Sequence, residues 1–250
     1  MNPLRGYSID YDSISKIYDQ VRAGEPEMIL HLLETSVPQA GSRVLDVGCG
    51  TGNNTLLFKR AVDAQVFGLD PSLGMLEEAL AKAPDIDFVQ GTTESMPFPA
   101  NHFDMLFMTE VVHHFPSLEP AMMETLRVLK IGAYLCIVTQ SHRQIEQRMT
   151  SRFFPATVDV DKARYPDIPV IESAMLEAGF SEITSKSYRF APIILGPEYL
   201  ETVSRKGYSM LHKIGDDAYQ KGLESLRLAY ERREQLDYAA GYTFVWGAKT

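Results

Sequence analysis

Apolar residues follow two periods along the chain, and the change from one to the other marks its architecture. Tyr11, Ile14, Tyr18 and Val21 fall at helical spacing within residues 11–21, and Glu27–Ser36 reads as a second helix. From Arg43 the period shortens. Arg43–Val47, Gln65–Leu69, Asp87–Val89, Phe103–Met108 and Tyr134–Thr139 read as five short strands. Helices are predicted from about Asn53, from Pro71 or Ser72, and over Ala121–Leu129. Strands alternating with helices imply right-handed crossovers and a mostly parallel sheet. An Arg- and Phe-rich stretch after the fifth strand reads as irregular. A helix near Ile171–Ala178 then stops at Gly179, and a strand near Glu182–Tyr188 follows. Leu200, Val203, Gly207 and Leu211 form one helical stripe, and Tyr219, Leu223, Leu226 and Tyr230 another, before a last strand at Tyr242–Ala248. Two helices that interrupt a sheet in this way serve as a lid or substrate cap, or simply cover sheet surface. No repeat, low-complexity tract or Gly/Ser-rich linker divides the chain. It is predicted as a single domain, 1–250, with a helical lid over 1–40 and a helical cap over 191–240.

Composition narrows the class. The chain has 250 residues, 45% hydrophobic and 23% charged, which excludes wholesale disorder. A net charge of −9 argues against a nucleic-acid or anionic-membrane partner, because phosphate binding needs clustered Lys and Arg. No stretch reaches the roughly 18 apolar residues of a membrane-spanning helix, and MNPLRGYSIDYDS lacks the apolar run of a signal peptide. Cys49 and Cys136 are the only cysteines, which excludes a disulfide framework and a cysteine-based zinc site; no metal is expected. The expectation is a soluble cytoplasmic protein, monomer or homodimer, acting on a small molecule.

The strongest chemical signal is Val44–Gly52 (VLDVGCGTG), where an apolar strand runs into Gly48, Gly50 and Gly52 at the mouth of a helix. Glycines there let the backbone turn tightly and approach a ligand that a Cβ would exclude. Asp70 ends the next strand, about 20 residues on, where an acid can accept both hydroxyls of a ribose. A dinucleotide-binding dehydrogenase would space its glycines as GxGxxG. Here Asn53 follows Gly52, and that pattern is not completed.

In RVLDVGCGTG (Arg43–Gly52), GLDPSLGMLEEA (Gly68–Ala79), GTTESMPF (Gly91–Phe98) with Phe103–Asp104, and RVLKIG (Arg127–Gly132), the chain resembles the class I S-adenosylmethionine-dependent methyltransferases. The likeness is to their small-molecule branch, which includes the ubiquinone and menaquinone methyltransferases, and it covers about residues 8–190 and the last strand. It implies a Rossmann-like, doubly wound α/β fold with a mostly parallel seven-stranded sheet, a helical N-terminal lid and a helical insertion before the last strand. It also implies S-adenosyl-L-methionine as cofactor and transfer of its methyl group to a small-molecule acceptor by in-line displacement. By the same resemblance Asp46 and the Gly48 backbone hold the methionine amino group, with Gly50 in the same cradle. Asp70 then holds the ribose, Thr92, Thr93 and Glu94 the adenine edge, and Thr109 completes the methionine site. Tyr18 and Arg22, in a segment resembling the family's lid, are expected at the cofactor; the same apolar stripe would in any case dock the N-terminus. Thr92 stands where an acid is common and Ile131 where a proline is usual. The contrasting function is a cofactor-binding protein without transferase activity.

His113 and His114 follow the fourth strand and His142 the fifth, at the rim where the methyl group should sit. A histidine there can take a proton from the acceptor, or it can pack and hydrogen-bond without chemical duty. Tyrosines crowd the N-terminal segment and the late helical segment and are absent from Arg43–Ala133. An apolar ring with a polar tip suits the wall of a pocket for a partly apolar metabolite. Tyr11, Tyr199 and Tyr208 are therefore the expected acceptor contacts, against the plainer reading that they fill amphipathic faces. Whether O, N, C or S is methylated is left open by the sequence.

Overall fold

The computed structural model describes residues 24–250. The predicted helix at 11–21, with Tyr11, Tyr18 and Arg22, lies outside the described residues. In chain order the first half forms α1 (Pro26–Leu32), β1 (Arg43–Val47), α2 (Asn53–Ala61), β2 (Gln65–Asp70), α3 (Leu73–Lys82), β3 (Asp87–Gln90), β4 (Phe103–Thr109), α4 (Leu118–Val128) and β5 (Leu129–Thr139). Then follow α5 (His142–Glu146), α6 (Met149–Phe153), α7 (Ala156–Lys162), α8 (Ile168–Ala178), β6 (Ser181–Arg189), β7 (Ile193–Ile194), α9 (Pro197–Ser204), α10 (Asp216–Glu231), β8 (Asp237–Tyr238) and β9 (Gly241–Ala248). Among the described residues no helix is long and apolar enough to cross a membrane.

The main sheet has the expected seven strands, in the order β3-β2-β1-β4-β5-β9-β6. β3, β2, β1, β4 and β5 pair in parallel, and β9 returns antiparallel beside β5. The chain winds outward from β1 in one direction and from β4 in the other. In open α/β sheets such a reversal of order opens a crevice at the carboxyl ends of the strands. β1 and β4 are buried along nearly their whole length, and parallel strands covered on both faces read as continuous apolar runs for that reason. Ser72 caps α3 by accepting the Met75 N–H at 3.1 Å, so of the two predicted openings the serine is the cap.

The described residues group into two compact units. One gathers 24–139, Ile168–Ser187 and Thr243–Thr250 around a core that includes Leu45, Leu106, Met108, Leu135 and Ile171. The other gathers Gln140–Asp167 and Tyr188–Tyr242 around Phe154, Val203, Leu211, Tyr219, Leu226 and Leu236.

Three expectations need correcting. The stretch after β5 is helical rather than irregular. Its inward face carries Arg148, Thr150, Ser151, Thr157 and Asp161 beside its apolar residues, so a search for apolar periodicity passes over it. Arg148 is held there by Asp161 Oδ2 at 2.5 Å and Gln140 Oε1 at 2.6 Å, with its guanidinium 4.9 Å from the Tyr165 ring centre. Secondly, the stripe Leu200–Leu211 is not one helix. α9 ends at Ser204, Lys206 turns to φ +52°, Gly207 N–H donates to Thr202 O, and Leu211 belongs to a separate 3-10 turn at Ser209–His212. Lys206-Gly207 is a helix stop that the apolar spacing hid. Thirdly, α1 ends at Leu32, four residues before the predicted Ser36.

Candidate functional site

The geometry of the glycine turn follows from its dihedrals. Gly48 sits at φ +74° and Gly50 at φ +54°, both in the left-handed region. A Cβ on Gly48 would lie 2.3 Å from Val111 Cγ2, whereas one on Gly50 would meet nothing within 4 Å. Gly48 is thus required by packing, and Gly50 faces open space where a ligand can approach the backbone. Two N–H groups of the turn, Gly48 and Cys49, donate to Leu69 O at 2.7 and 3.0 Å, which joins the ends of β1 and β2. Asp70 Oδ2 accepts the Gly50 N–H and Oδ1 the Ser72 N–H, each at 2.9 Å. A carboxylate oxygen can accept more than one donor, so holding the turn does not by itself bar Asp70 from a ligand.

Asp46 is the most unusual group of the turn. It is 1% exposed, on a strand otherwise lined by apolar residues. Its Oδ2 accepts the Thr55 hydroxyl at 2.7 Å, and its Oδ1 has no hydrogen-bond partner among the described residues. Burial pushes its pKa from 3.8 up to about 7, the Thr55 bond pulls it back, and the Asp70 charge pushes it further. A buried carboxylate oxygen with nothing to accept is costly unless something cationic arrives to satisfy it. Burial and the two acids push the Cys49 thiol well above its ordinary value, which disfavours the reactive thiolate.

Neighbouring strands bring in the rest. Thr109 is the last residue of β4, and its hydroxyl accepts from Asn54 Nδ2 at 3.1 Å. Glu110 follows with φ +54°, a strained value for a residue with a side chain, and this turn lays Val111 against Gly48. His113 and His114 lie in the 3-10 turn Val112–His114, with ring centres 4.0 Å apart. Thr92 and Ser95 form an isolated bridge around Thr93 and Glu94, and Gly91 N–H donates to Asp70 O at 3.2 Å. Asp46, Gly48, Gly50, Asp70, Thr92–Glu94 and Thr109 therefore fall at the carboxyl ends of four adjacent strands of one unit. This arrangement offers open backbone, two acids and several hydroxyls to a ligand that carries positive charge and a ribose. The residues fit S-adenosylmethionine on the orphaned Asp46 Oδ1 and the open face of Gly50.

His142, Tyr199 and Tyr208 lie in the other unit. His142 begins α5, where its Nε2 hydrogen-bonds the Tyr165 carbonyl at 2.9 Å and its Nδ1 lies 3.9 Å from Asp167 Oδ2. Tyr199 is buried on α9, and its ring centre is 6.1 Å from that of Tyr208. Sequence reasoning passed over Asn54 and Thr55, which bind Thr109 and Asp46 from the first turn of α2. Two polar residues just after Gly52 read as ordinary helix-opening residues. It also missed Glu110, whose left-handed backbone leaves no mark in the sequence.

Residues 45–137 match the protein family described as Methyltransferase domain. The demethylmenaquinone methyltransferase of Staphylococcus epidermidis is 30% identical over 201 residues, covering 71% of this chain and 83% of that one. The ubiquinone/menaquinone biosynthesis C-methyltransferase UbiE of Pseudomonas putida is 32% identical over 181 residues, covering 61% and 70%. Among solved structures, a protein of Anabaena variabilis described as a methyltransferase from an antibiotic biosynthesis pathway superimposes with a TM-score of 0.72. That pair shares 21% identity, covers 92% of this chain and 99% of the other, and shows the common fold.

Proposed function

The chain belongs to the class I S-adenosylmethionine-dependent methyltransferases, and from that premise we propose which of its residues hold the cofactor and which meet the acceptor. It transfers a methyl group to a small molecule, and S-adenosylmethionine supplies that group as an electrophilic sulfonium methyl. Asp46 Oδ1 and the Gly48 backbone take the amino group, and Gly50 lies open beside them. Asp70 takes the ribose, Thr92, Thr93 and Glu94 the adenine, and Thr109 the rest of the methionine site. Tyr18 and Arg22 act with them as a lid. The observation that carries this reading is the buried, unpartnered Asp46 Oδ1 beside an open glycine.

With the methyl group already electrophilic, alignment and exclusion of water supply much of the acceleration. His113 and His114 are the proposed proton acceptors for an acceptor that must lose a proton. The bond from His142 to the Tyr165 carbonyl supports a structural part for that residue instead. A base would make the rate rise with pH through an apparent pKa near ~6–7, a dependence lost in the matching His→Ala variant. A flat profile with all three variants active would assign the step to alignment alone.

The acceptor is a partly apolar metabolite, with contacts from Tyr11, Tyr199 and Tyr208 and the segment 191–240 as its binding cap. The tyrosine-lined core of that segment supports this reading. The enzyme is read as cytoplasmic and as a monomer or homodimer, and its charge of −9 supports the absence of a nucleic-acid partner. Incubation with methyl-labelled cofactor and a metabolite extract, fractionated by polarity, tests the whole. A labelled product in the apolar fractions is expected. Cofactor binding with no labelled product would leave a binding protein.

A further inference from the structure

Five phenols gather in the core of the helical unit, and Tyr199, Tyr219 and Tyr230 differ in how their hydroxyls are satisfied. Tyr219 OH donates toward the Val203 and Ser204 carbonyls at the end of α9, at 3.1 and 3.0 Å. Tyr230 OH reaches the Leu195 and Gly196 carbonyls at 3.0 and 2.7 Å. Tyr199 is as deeply placed, 6% exposed, yet its hydroxyl is buried with no hydrogen-bond partner among the described residues. A buried tyrosine hydroxyl ordinarily finds a partner, because leaving one without costs its desolvation. The side chains packed around this cluster include Leu195, Leu200, Val203 and Leu236, all apolar.

We propose that the Tyr199 hydroxyl is the hydrogen-bond donor of an acceptor subsite that takes an uncharged oxygen function, such as a ketone or ester, on an otherwise apolar molecule. The proposal rests on the reading of this segment as acceptor-binding and adds the functional group it recognises. A phenol proton needs a lone pair to meet, which an alkylammonium group does not have. A carboxylate would bring a charge among apolar side chains, and Lys206, which lies over the Tyr219 ring, is already paired with Asp216. Burial, reinforced by Tyr208, Tyr238 and Tyr230, holds the Tyr199 phenol well above the ordinary tyrosine range, so it stays a donor throughout physiological pH.

The test uses the full-length protein and four matched probes: acetophenone, ethylbenzene, benzoate and benzyltrimethylammonium. Binding is followed by ligand-observed NMR in wild type, Tyr199→Phe and Tyr219→Phe, alongside thermal melting. Acetophenone should bind saturably, and Tyr199→Phe should weaken it about tenfold, the loss of one hydrogen bond, with ethylbenzene unaffected. Tyr199→Phe should melt at or above the wild-type temperature, because no protein bond is lost. Tyr219→Phe should melt lower and leave acetophenone affinity unchanged. The proposal is overturned by equal acetophenone affinity in wild type and Tyr199→Phe, or by no saturable binding. Tighter binding of either charged probe, or a fall in melting temperature for Tyr199→Phe matching that of Tyr219→Phe, would also overturn it. Because no cofactor or turnover enters the measurement, its failure leaves the methyltransferase assignment standing.

Discussion

Asp70 and Asp46 lie one strand apart, and their environments give them different duties. Asp70 keeps both oxygens in hydrogen bonds to the Gly50 and Ser72 N–H groups at the end of β2. Charge-assisted hydrogen bonds contribute roughly 1.5–3 kcal/mol each. Asp70→Ala should therefore weaken S-adenosylmethionine binding at least about tenfold, and unchanged affinity by calorimetry in the folded variant would refute the ribose role. Asp46 behaves differently because it is buried with one oxygen unsatisfied. Its folded pKa of about 7 lies above the ordinary value of 3.8, so folding without ligand favours the protonated form. That contribution to stability is complete below about pH 4 and is lost as pH rises through about 7, an effect of the order of a few kcal/mol. A cationic ligand at Oδ1 needs the ionised form, so cofactor affinity should fall as pH drops from about 7.5 to about 5.5. Asp46→Asn should raise the melting temperature of the ligand-free protein at about pH 8 and abolish most cofactor binding. Equal melting at about pH 8 in variant and wild type would show that Asp46 carries no such penalty.

At the scale of elements, what holds the short helices after β5 is the Arg148–Asp161 pair, with side chains 8% and 2% exposed. Removing one partner of a buried pair leaves a charge without compensation and costs about 3–5 kcal/mol, more than replacing both by apolar groups. Asp161→Ala should lose that much in urea unfolding, and the double variant Arg148→Met, Asp161→Leu should recover most of it. No recovery would mean that the pair is worth more than an apolar substitute. The same pair explains why these helices were illegible in the sequence, since an inward face built on an ion pair has no apolar period. The strands were legible because β1, β4 and the Leu135–Thr139 part of β5 are largely buried and read as nearly continuous apolar runs. β7 and β8, two residues each, are too short to carry any period. In the candidate site, the glycines and Asp70 could be read from a spacing fixed by strand, turn and helix, and Asp46 from the family resemblance. Thr55 and Asn54 could not, since their contacts depend on side-chain directions within the first turn of α2.

At the scale of the whole molecule, the proposed cofactor residues from Asp46 to Thr109 belong to one unit, and Tyr199 and Tyr208 belong to the other, which has its own apolar core. Damage to that second core should then separate the two halves of the reaction. Leu226 lies on α10 and is fully buried among Phe154, Val203 and Tyr219 in the same cluster. Truncating a buried leucine costs about 2–5 kcal/mol, depending on how far the surroundings collapse into the space. Leu226→Ala should lower the melting temperature and raise the acceptor KM or reduce kcat. Its S-adenosylmethionine Kd should stay within about threefold of wild type, a shift below 1 kcal/mol. The paired measurement is calorimetry with the cofactor and steady-state kinetics with the acceptor found by labelling. If cofactor affinity falls as far as acceptor turnover, the two binding functions are not carried by separate units. Ala at Tyr199 or Tyr208 should act like Leu226→Ala on the acceptor, and at the buried Tyr199 with a comparable loss of stability. Their cofactor affinity should match wild type, because neither residue contributes to the glycine turn or to the two acids beside it.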